Sequence, residues 1–509
     1  MLLVAAGLLL AAAVLLLAAL LLDGGAQDRL EGVDRHVNVG AANLGDISAH
    51  NSPTVARSPR DPGRIVVTSR IDSPDFSCAL HVSSDGGEAW SRVRPPIPAG
   101  AGRKCYAPDA VFASDGTLYV SYVTLRGRGN RPSAVWLSSS SDGGRTLSAP
   151  RRVTGPLAFQ VRIATDPARP GTLYLTWVQA REVGSLRFTG PGNPILLARS
   201  DDGGRRWRSP VRVNAPARGR VLAPSAATGP RGELYVLYLD VGDDRLDYEG
   251  GHGGFGGPPY TGRFQLVLAR SLDRGATWAE SVVDDRVVPT SRFVAFLPPF
   301  PALAVDRGSG RVHVAFHDGR LGSADVWLWT LPPGSSTWRE PVRVNHTPRR
   351  DGTSQYLPAL DVAPDGRVDV VYYDRRDDAG VDRLNEVSLQ SSRDGGRTFG
   401  PRVTMSSERF DARIGFGTER EMPELGSRLG LASGDDEALA VWSDTRWGTA
   451  ASLKQDLYLA TVRAEATSGL VEVLRYIGFG LLLCAVALAL AVAVPKLVAG
   501  RAGTAAREG

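Results

Sequence analysis

Three five-residue stretches in the second half of the chain put an aromatic ring, a carboxylate and a guanidinium at every second position. They read Phe316-His317-Asp318-Gly319-Arg320, Tyr372-Tyr373-Asp374-Arg375-Arg376 and Trp442-Ser443-Asp444-Thr445-Arg446. Earlier stretches keep the frame in part, as Tyr122-x-Thr124-x-Arg126, Trp177-x-Gln179-x-Arg181 and Tyr238-x-Asp240-x-Gly242. A guanidinium is a planar fork that grips a carboxylate or a sulfate through two parallel hydrogen bonds. Arg126, Arg181, Arg320, Arg376 and Arg446, brought to one face, would suit an anionic ligand. The competing expectation is that Asp and Arg two residues apart pair with each other and with neighbouring units. A motif repeated along a chain serves architecture more readily than catalysis, because an active site needs one of each group.

Other chemistry is thinner. The seven histidines are scattered, with no His-Glu-x-x-His spacing. His313 and His317 fall on a strand, so they do not share a helical face. A Gly-x-Ser-x-Gly elbow is absent. Acidic loops offer oxygen ligands to Ca²⁺, but no calcium-loop pattern is present. No metal site and no organic cofactor are expected.

The elements that must position these groups are set by a second repeat, Ser-x-Asp-x-Gly-x-x-aromatic. It occurs at Ser83–Trp90, Ser200–Trp207, Ser271–Trp278 and Ser392–Phe399, and at Ser140–Leu147 with Leu147 in place of the aromatic. Around Trp338 a copy has lost its Asp. Ser and Asp accept backbone N–H groups in a tight turn, and Gly supplies a positive φ. The motif therefore reads as a hairpin turn. Asp85, Asp142, Asp202, Asp273 and Asp394 recur at roughly 60-residue intervals, the last interval about doubled, which is the signature of a β-propeller.

Seven strands fit the period: Arg64–Val67, Thr117–Val120, Thr172–Leu175, Glu233–Val236, Arg311–Val314, Arg367–Val370 and Glu437–Ala440. A short strand, often opened by Pro (Pro53, Pro108, Pro224, Pro301, Pro358), precedes each. A loop, a third strand, the turn and a fourth strand follow. Fourth strands carry Val211-Arg212-Val213-Asn214 or Val342-Arg343-Val344-Asn345. The seventh unit stops after its third strand, Asp456–Ala460, while Arg35-His36-Val37-Asn38 near the start fits the fourth-strand pattern. The expected fold is all-β, a propeller of seven four-stranded blades over residues 23–463, closed by this N-terminal strand. Two loops outgrow the scaffold, Arg181–Asn193 and Gly242–Gly262; the second carries Asp243, Asp244, Tyr248, His252 and Tyr260. Outgrown loops commonly bind.

Both ends are apolar. Residues 1–22 read as a transmembrane anchor or a signal peptide, and Tyr476–Val494 as a membrane-crossing helix. Residues 464–475 would link it to the propeller. Lys496, Arg501 and Arg507 would keep the tail 495–509 cytoplasmic and the propeller outside, in the cell membrane. In an oxidising compartment Cys78 and Cys105 are expected to pair, contributing roughly 3–4 kcal/mol by loop closure. A net charge of +5 over 509 residues, with only three lysines, makes a nucleic-acid partner improbable.

The Ser-x-Asp-x-Gly-x-Thr-Trp turns resemble the Asp boxes (BNR repeats) of the sialidase superfamily, over residues 36–463. Members of that family are usually six-bladed, and seven units here is a departure. The resemblance implies box turns on one face and the Asp-x-Arg stretches on the opposite, active-site face. It also implies an arginine triad for a sugar carboxylate, a Tyr nucleophile helped by Glu, and an Asp acid/base. Tyr372 or Tyr373 would be the nucleophile, and Asp318, Asp374, Asp377, Asp378 or Asp444 the acid. Departures count against that chemistry: no Arg-Ile-Pro stands near the first strand, and no Glu pairs with a Tyr by spacing. Three readings follow. The first is a propeller binding a glycan or other carboxylate-bearing ligand without hydrolysis. The second is a sialidase-type hydrolase, and the third a scaffold for an envelope protein.

Overall fold

A box turn is a closed ring of hydrogen bonds. Ser271 donates to Asp273 Oδ1 (2.7 Å) and accepts the amide of Gly275 (2.8 Å). Asp273 in turn accepts the hydroxyl and amide of Thr277 (2.6 and 2.8 Å), and these bonds hold its carboxyl down at about 2. Ser83/Asp85, Ser140/Asp142, Ser200/Asp202 and Ser392/Asp394 make the same Ser–Asp bond at 2.6–2.9 Å. Gly275 has φ +85°, and a Cβ there would lie 2.8 Å from Leu197 on the preceding sheet. Gly204 and Gly396 stand in the same relation to Leu137 and Leu328, at 2.1 and 2.5 Å. The second glycine is thus needed twice, for its backbone and for the neighbour that packs onto it.

The computed structural model describes residues 2–23, 28–43, 45–127, 130–181, 192–245, 258–290, 299–378, 383–415, 425–464, 473–474 and 476–491. Seven antiparallel sheets of four strands follow one another, the sixth with an extra strand, Phe410–Asp411. Blade 1 holds His50–Arg57, Ile65–Ile71, Ser77–Ser83 and Ser91–Val93. Blade 2 runs from Lys104 to Thr154, blade 3 from Ala158 to Arg212 and blade 4 from Val221 to Val287. Blade 5 runs from Ala302 to Arg343 and blade 6 from Gln355 to Thr404. Blade 7 is Gly430–Ser433, Glu437–Asp444 and Asp456–Arg463, with Arg29–His36 as its outer strand. The propeller unit is Leu30–Val462.

The core lies between blades. Val66, Leu80 and Val82 of blade 1 pack with Phe112, Leu118 and Val120 of blade 2. Val37, Leu457 and Leu459 of blade 7 pack with Ile65 and Val67 of blade 1. Second strands are covered on both faces, so Leu234–Leu239 is buried throughout instead of alternating. Cys78 and Cys105 form a disulfide between blades 1 and 2, Cα–Cα 5.4 Å.

Closure uses the expected residues, although the strand begins earlier, at Arg29. Val37 N–H donates to Leu457 O (2.8 Å), and Leu457 N–H donates to Asn38 Oδ1 (2.7 Å). Val213/Asn214 and Val344/Asn345 repeat this pair on Ile195 and Val326. Asn38 is therefore the N-terminal copy of an internal device.

The terminal transmembrane helices expected from the sequence are the point of departure. A helix covers Leu2–Asp23 and another 476–491, but among the described residues no helix is long and apolar enough to cross a membrane. Residues 492–494, the tail 495–509 and most of 464–475 lie outside the described residues.

Asn38→Ala leaves a buried strand amide and Asp456 without their partner. It should cost about 1–3 kcal/mol, read as a lower urea midpoint. An unchanged midpoint would mean that the ring does not depend on this lock.

Candidate functional site

In blade 6 Val368 faces Ser392 of the box, while Asp374 faces Glu386 at the other end of the same ladder. Six residues of strand, roughly 20 Å at 3.3 Å each, separate the box face from the Asp-x-Arg face. On that face each Arg folds back on its own Asp. Arg320 Nη2 lies 2.8 Å from both Asp318 and Asp284, between the rings of Trp327 and Trp329. Arg376 bonds Asp374 at 2.6 Å and donates to the Tyr372 hydroxyl (3.1 Å). Arg446 reaches Asp444 and Asp34, both at 2.6 Å, over the ring of Tyr458. Burial alone would lower the affinity of Arg320 and Arg446 for their protons, yet the carboxylates raise it above the usual arginine range. Each of these guanidiniums already has a carboxylate for its counter-ion.

Tyr372 and Tyr373 are fully buried. The first donates to Gln390 Oε1 (2.7 Å), the second to Ser443 O (3.0 Å). Burial pushes both hydroxyls well above the ordinary tyrosine value. Asp378 accepts the amides of Arg383 and Leu384, and Asp377 lies 3.4 Å from Arg402. Arg126 donates to the carbonyl of Gly100. Of the outgrown loops, Tyr260 bonds Asp243 (2.7 Å), whereas Tyr248, His252 and residues 182–191 lie outside the described residues.

A different cationic cluster was hidden from the sequence. First strands of five blades bulge at a residue of positive φ, Ser52, Ala107, Gln160, Ala223 and Leu357, four of them followed by the prolines noted above. The bulges turn polar groups toward neighbouring inner strands: Ser225 Oγ donates to Pro301 O, and Ser427 N–H donates to Ser52 Oγ. Arg428, ahead of the first strand of blade 7, donates to Ser52 O (3.3 Å) and Pro108 O (2.8 Å). Its guanidinium lies 5.8 Å from the ring of Phe300, and that of Arg162 from blade 3 lies 5.7 Å from the same ring. Arg70 stands over Tyr106 (5.4 Å).

Charge in the cluster does not balance. Arg70 pairs with Asp72 at 2.6 Å and Arg162 with Asp109 at 2.8 Å. Arg428 is only 7% exposed and has backbone carbonyls for partners. Burial, then the positive charge of Arg162, pulls it down to about 10. Among the described residues this buried guanidinium stands beside another cation with no carboxylate of its own, an arrangement that leaves its charge uncompensated. The residues involved are scattered singly over five blades, which is why no motif announced them; the x-Pro steps were the available signal.

Blade 3 holds a second feature. A cleft of about 550 Å³ is lined by Arg181, Arg212, Gln179, Gly192 and Pro194, among others. Among the described residues no group of three or more His, Cys, Asp or Glu side chains is arranged to hold a metal ion.

No protein family and no curated relative matches the chain in sequence. Among solved structures it is similar to the Hadza microbial sialidase Hz136, at 17% identity over 78% of this chain and 73% of that one, TM-score 0.44. It is also similar to the polysaccharide lyase PL25 ulvan lyase, at 14% identity over 82% and 93%, TM-score 0.46. The Penicillium chrysogenum alpha-L-arabinanase complexed with arabinobiose matches at 14% identity over 71% and 93%, TM-score 0.41. The likeness is one of fold.

His317 accepts the amide of Leu357 (3.3 Å), and burial pulls it down to about 3. An imidazole kept neutral in the fold but free to charge when unfolded stabilises fully above its unfolded value, near 6.5, and less as pH falls toward 3. Roughly 2–3 kcal/mol of this contribution is gone by pH 4.5. His317→Gln should therefore cost more stability at pH 7.5 than at pH 4.5 in urea unfolding; an equal cost at both would contradict this account.

Proposed function

We propose that the chain is a membrane-tethered, extracytoplasmic propeller that binds an acidic glycan at the Arg70–Arg162–Arg428 cluster without cleaving it. The observation that carries this reading is the buried Arg428, which among the described residues lacks a carboxylate partner beside Arg162, itself only partly buried. A sugar carboxylate or sulfate ester would supply the missing counter-charge, while the Phe300 and Tyr106 rings hold the guanidiniums in place. Cleavage of the sialidase type asks for a tyrosine paired with a glutamate. Tyr106 is the tyrosine at this cluster, and the carboxylates beside it, Asp72 and Asp109, are held by arginines.

The tether is supported by the end helices, taken by themselves. Gly478 packs on Leu16, and Ala5, Ala12 and Ala485 are buried. Large side chains point out instead: Leu10, Val14, Leu17, Phe479, Leu483 and Leu490 are exposed. Small residues inside and large apolar residues outside is the arrangement lipid favours and water does not. Lys496, Arg501 and Arg507 after the second helix set the tail in the cytoplasm.

Titration calorimetry of the full chain in detergent with N-acetylneuraminate and glucuronate should show binding that Arg162→Ala weakens about 10-fold or more. A fluorogenic sialoside should not be hydrolysed. Steady release of the fluorophore, lost in Asp109→Asn, would replace binding with hydrolysis.

In cells the chain should stay in the membrane pellet after carbonate extraction, with the propeller open to external protease. A soluble full-length chain would remove the tether.

A further inference from the structure

Blades 5, 6 and 7 place a carboxylate two residues before each arginine of the repeated frame, and each pair closes at 2.6–2.8 Å. Blade 3 has the same frame, Trp177-x-Gln179-x-Arg181, with an amide where the carboxylate belongs. Gln179 retains part of the architectural role. Its Oε1 accepts the Trp177 indole N–H at 2.9 Å, as Asp444 accepts that of Trp442 at 3.1 Å. Its Nε2 is spent on the carbonyls of Pro156, Leu157 and Ala180. What it does not supply is negative charge.

Arg181 is therefore released. Among the described residues it has no hydrogen-bond or ion-pair partner, and it lines the cleft of about 550 Å³. Gly192 makes room for it: φ there is +108°, and a Cβ would come within 2.7 Å of the guanidinium. A second arginine, Arg212, enters the same cleft, its Nε and Nη2 fixed on the carbonyls of Asn214 and Ala215. Among the described residues no acidic side chain lines the cleft. Pro194, Pro216, Ala180 and Ala217 add apolar wall, and the volume falls in the range of small-ligand sites.

We propose that this cleft is a second anion-binding site, in which Arg181 and Arg212 take the carboxylate or sulfate of an acidic oligosaccharide while its sugar rings lie on the proline and alanine walls. The site is independent of the central cluster. Two guanidinium forks match the planar or trigonal face of such a group, and loss of the internal counter-ion is what makes the first available.

The test uses the full chain in detergent carrying Arg162→Ala, so that the central cluster is weakened, titrated with tetragalacturonate and separately with inorganic sulfate. Tetragalacturonate binding is expected. It should weaken about 10-fold or more in Arg181→Ala, and equally in Gln179→Asp, which restores the counter-ion found in blades 5–7. Arg181 is exposed, so thermal unfolding should be unchanged by Arg181→Ala. No binding in the Arg162→Ala background would overturn the cleft while leaving the central cluster standing. Full affinity in both Gln179→Asp and Arg181→Ala would overturn it too. Inorganic sulfate binding as tightly as the tetramer would overturn the sugar assignment.

Discussion

The ring stands on one borrowed strand. A sheet of three strands would leave blade 7 with an open edge, and an open edge both frays and recruits other strands. Arg29–His36 fills that edge, and Asn38 fixes its register with a side-chain oxygen on Leu457 N–H and an amide on Asp456. Blades 3 and 5 solve the same problem locally with Asn214 and Asn345. The difference lies in sequence distance: blades 3 and 5 draw the strand from a few residues away, blade 7 from the far end of the chain. Every interblade layer, and hence the positions of inner-strand arginines, depends on that long-range contact being made.

Charge is sorted by the same ring. Four-stranded blades pressed face to face bury the ends of their second strands, so a charge there is held by a partner or becomes a liability. Arg320, Arg376 and Arg446 have partners at hydrogen-bond distance, two of them shared with a fourth strand, Asp284 and Asp34. Arg320 ties blade 5 to blade 4, whereas Arg376 and Arg446 pair with carboxylates of their own blades. Arg428 is also buried but meets carbonyls, and Arg181 is exposed and meets no protein partner among the described residues. The distinction between a fastening arginine and an available one is thus the presence of a carboxylate in the right register, and not the arginine itself.

That distinction explains what could be read in advance. Box turns, seven units and the closing Val37-Asn38 were legible because hairpin turns and strand pairs are local patterns with fixed spacing. The disulfide followed from compartment and count. The Asp-x-Arg stretches were equally legible as a pattern, and so was the possibility of their pairing. Arg70, Arg162 and Arg428 were not, because they come from blades 1, 3 and 7 and meet only after the ring closes. Their one local sign, a proline after a left-handed residue at Ser52, Ala107, Ala223 and Leu357, marks a bulge and does not say what the bulge faces. The reading of Gln179 needed the structure too, since Gln or Thr in place of Asp in the earlier frames carries no message until the cleft beside Arg181 is seen.

Binding follows from the central cluster more directly than catalysis does, on grounds of protonation. A group that transfers a proton must exchange between two states near working pH. Arg428, even pulled to about 10, keeps its charge at neutral pH. Asp109 spends its oxygens on Arg162 and on the amides of Ala110 and Ile163, so its acceptor capacity is committed to holding inner strands together. Asp72 is committed in the same way, to Arg70 and Asn51. What is left uncommitted is positive charge, fixed in place by backbone carbonyls and a phenyl ring. In the proposed reading, fixed charge of one sign in a low-dielectric setting would discriminate between an anionic sugar and a neutral one without any bond to that sugar being made or broken.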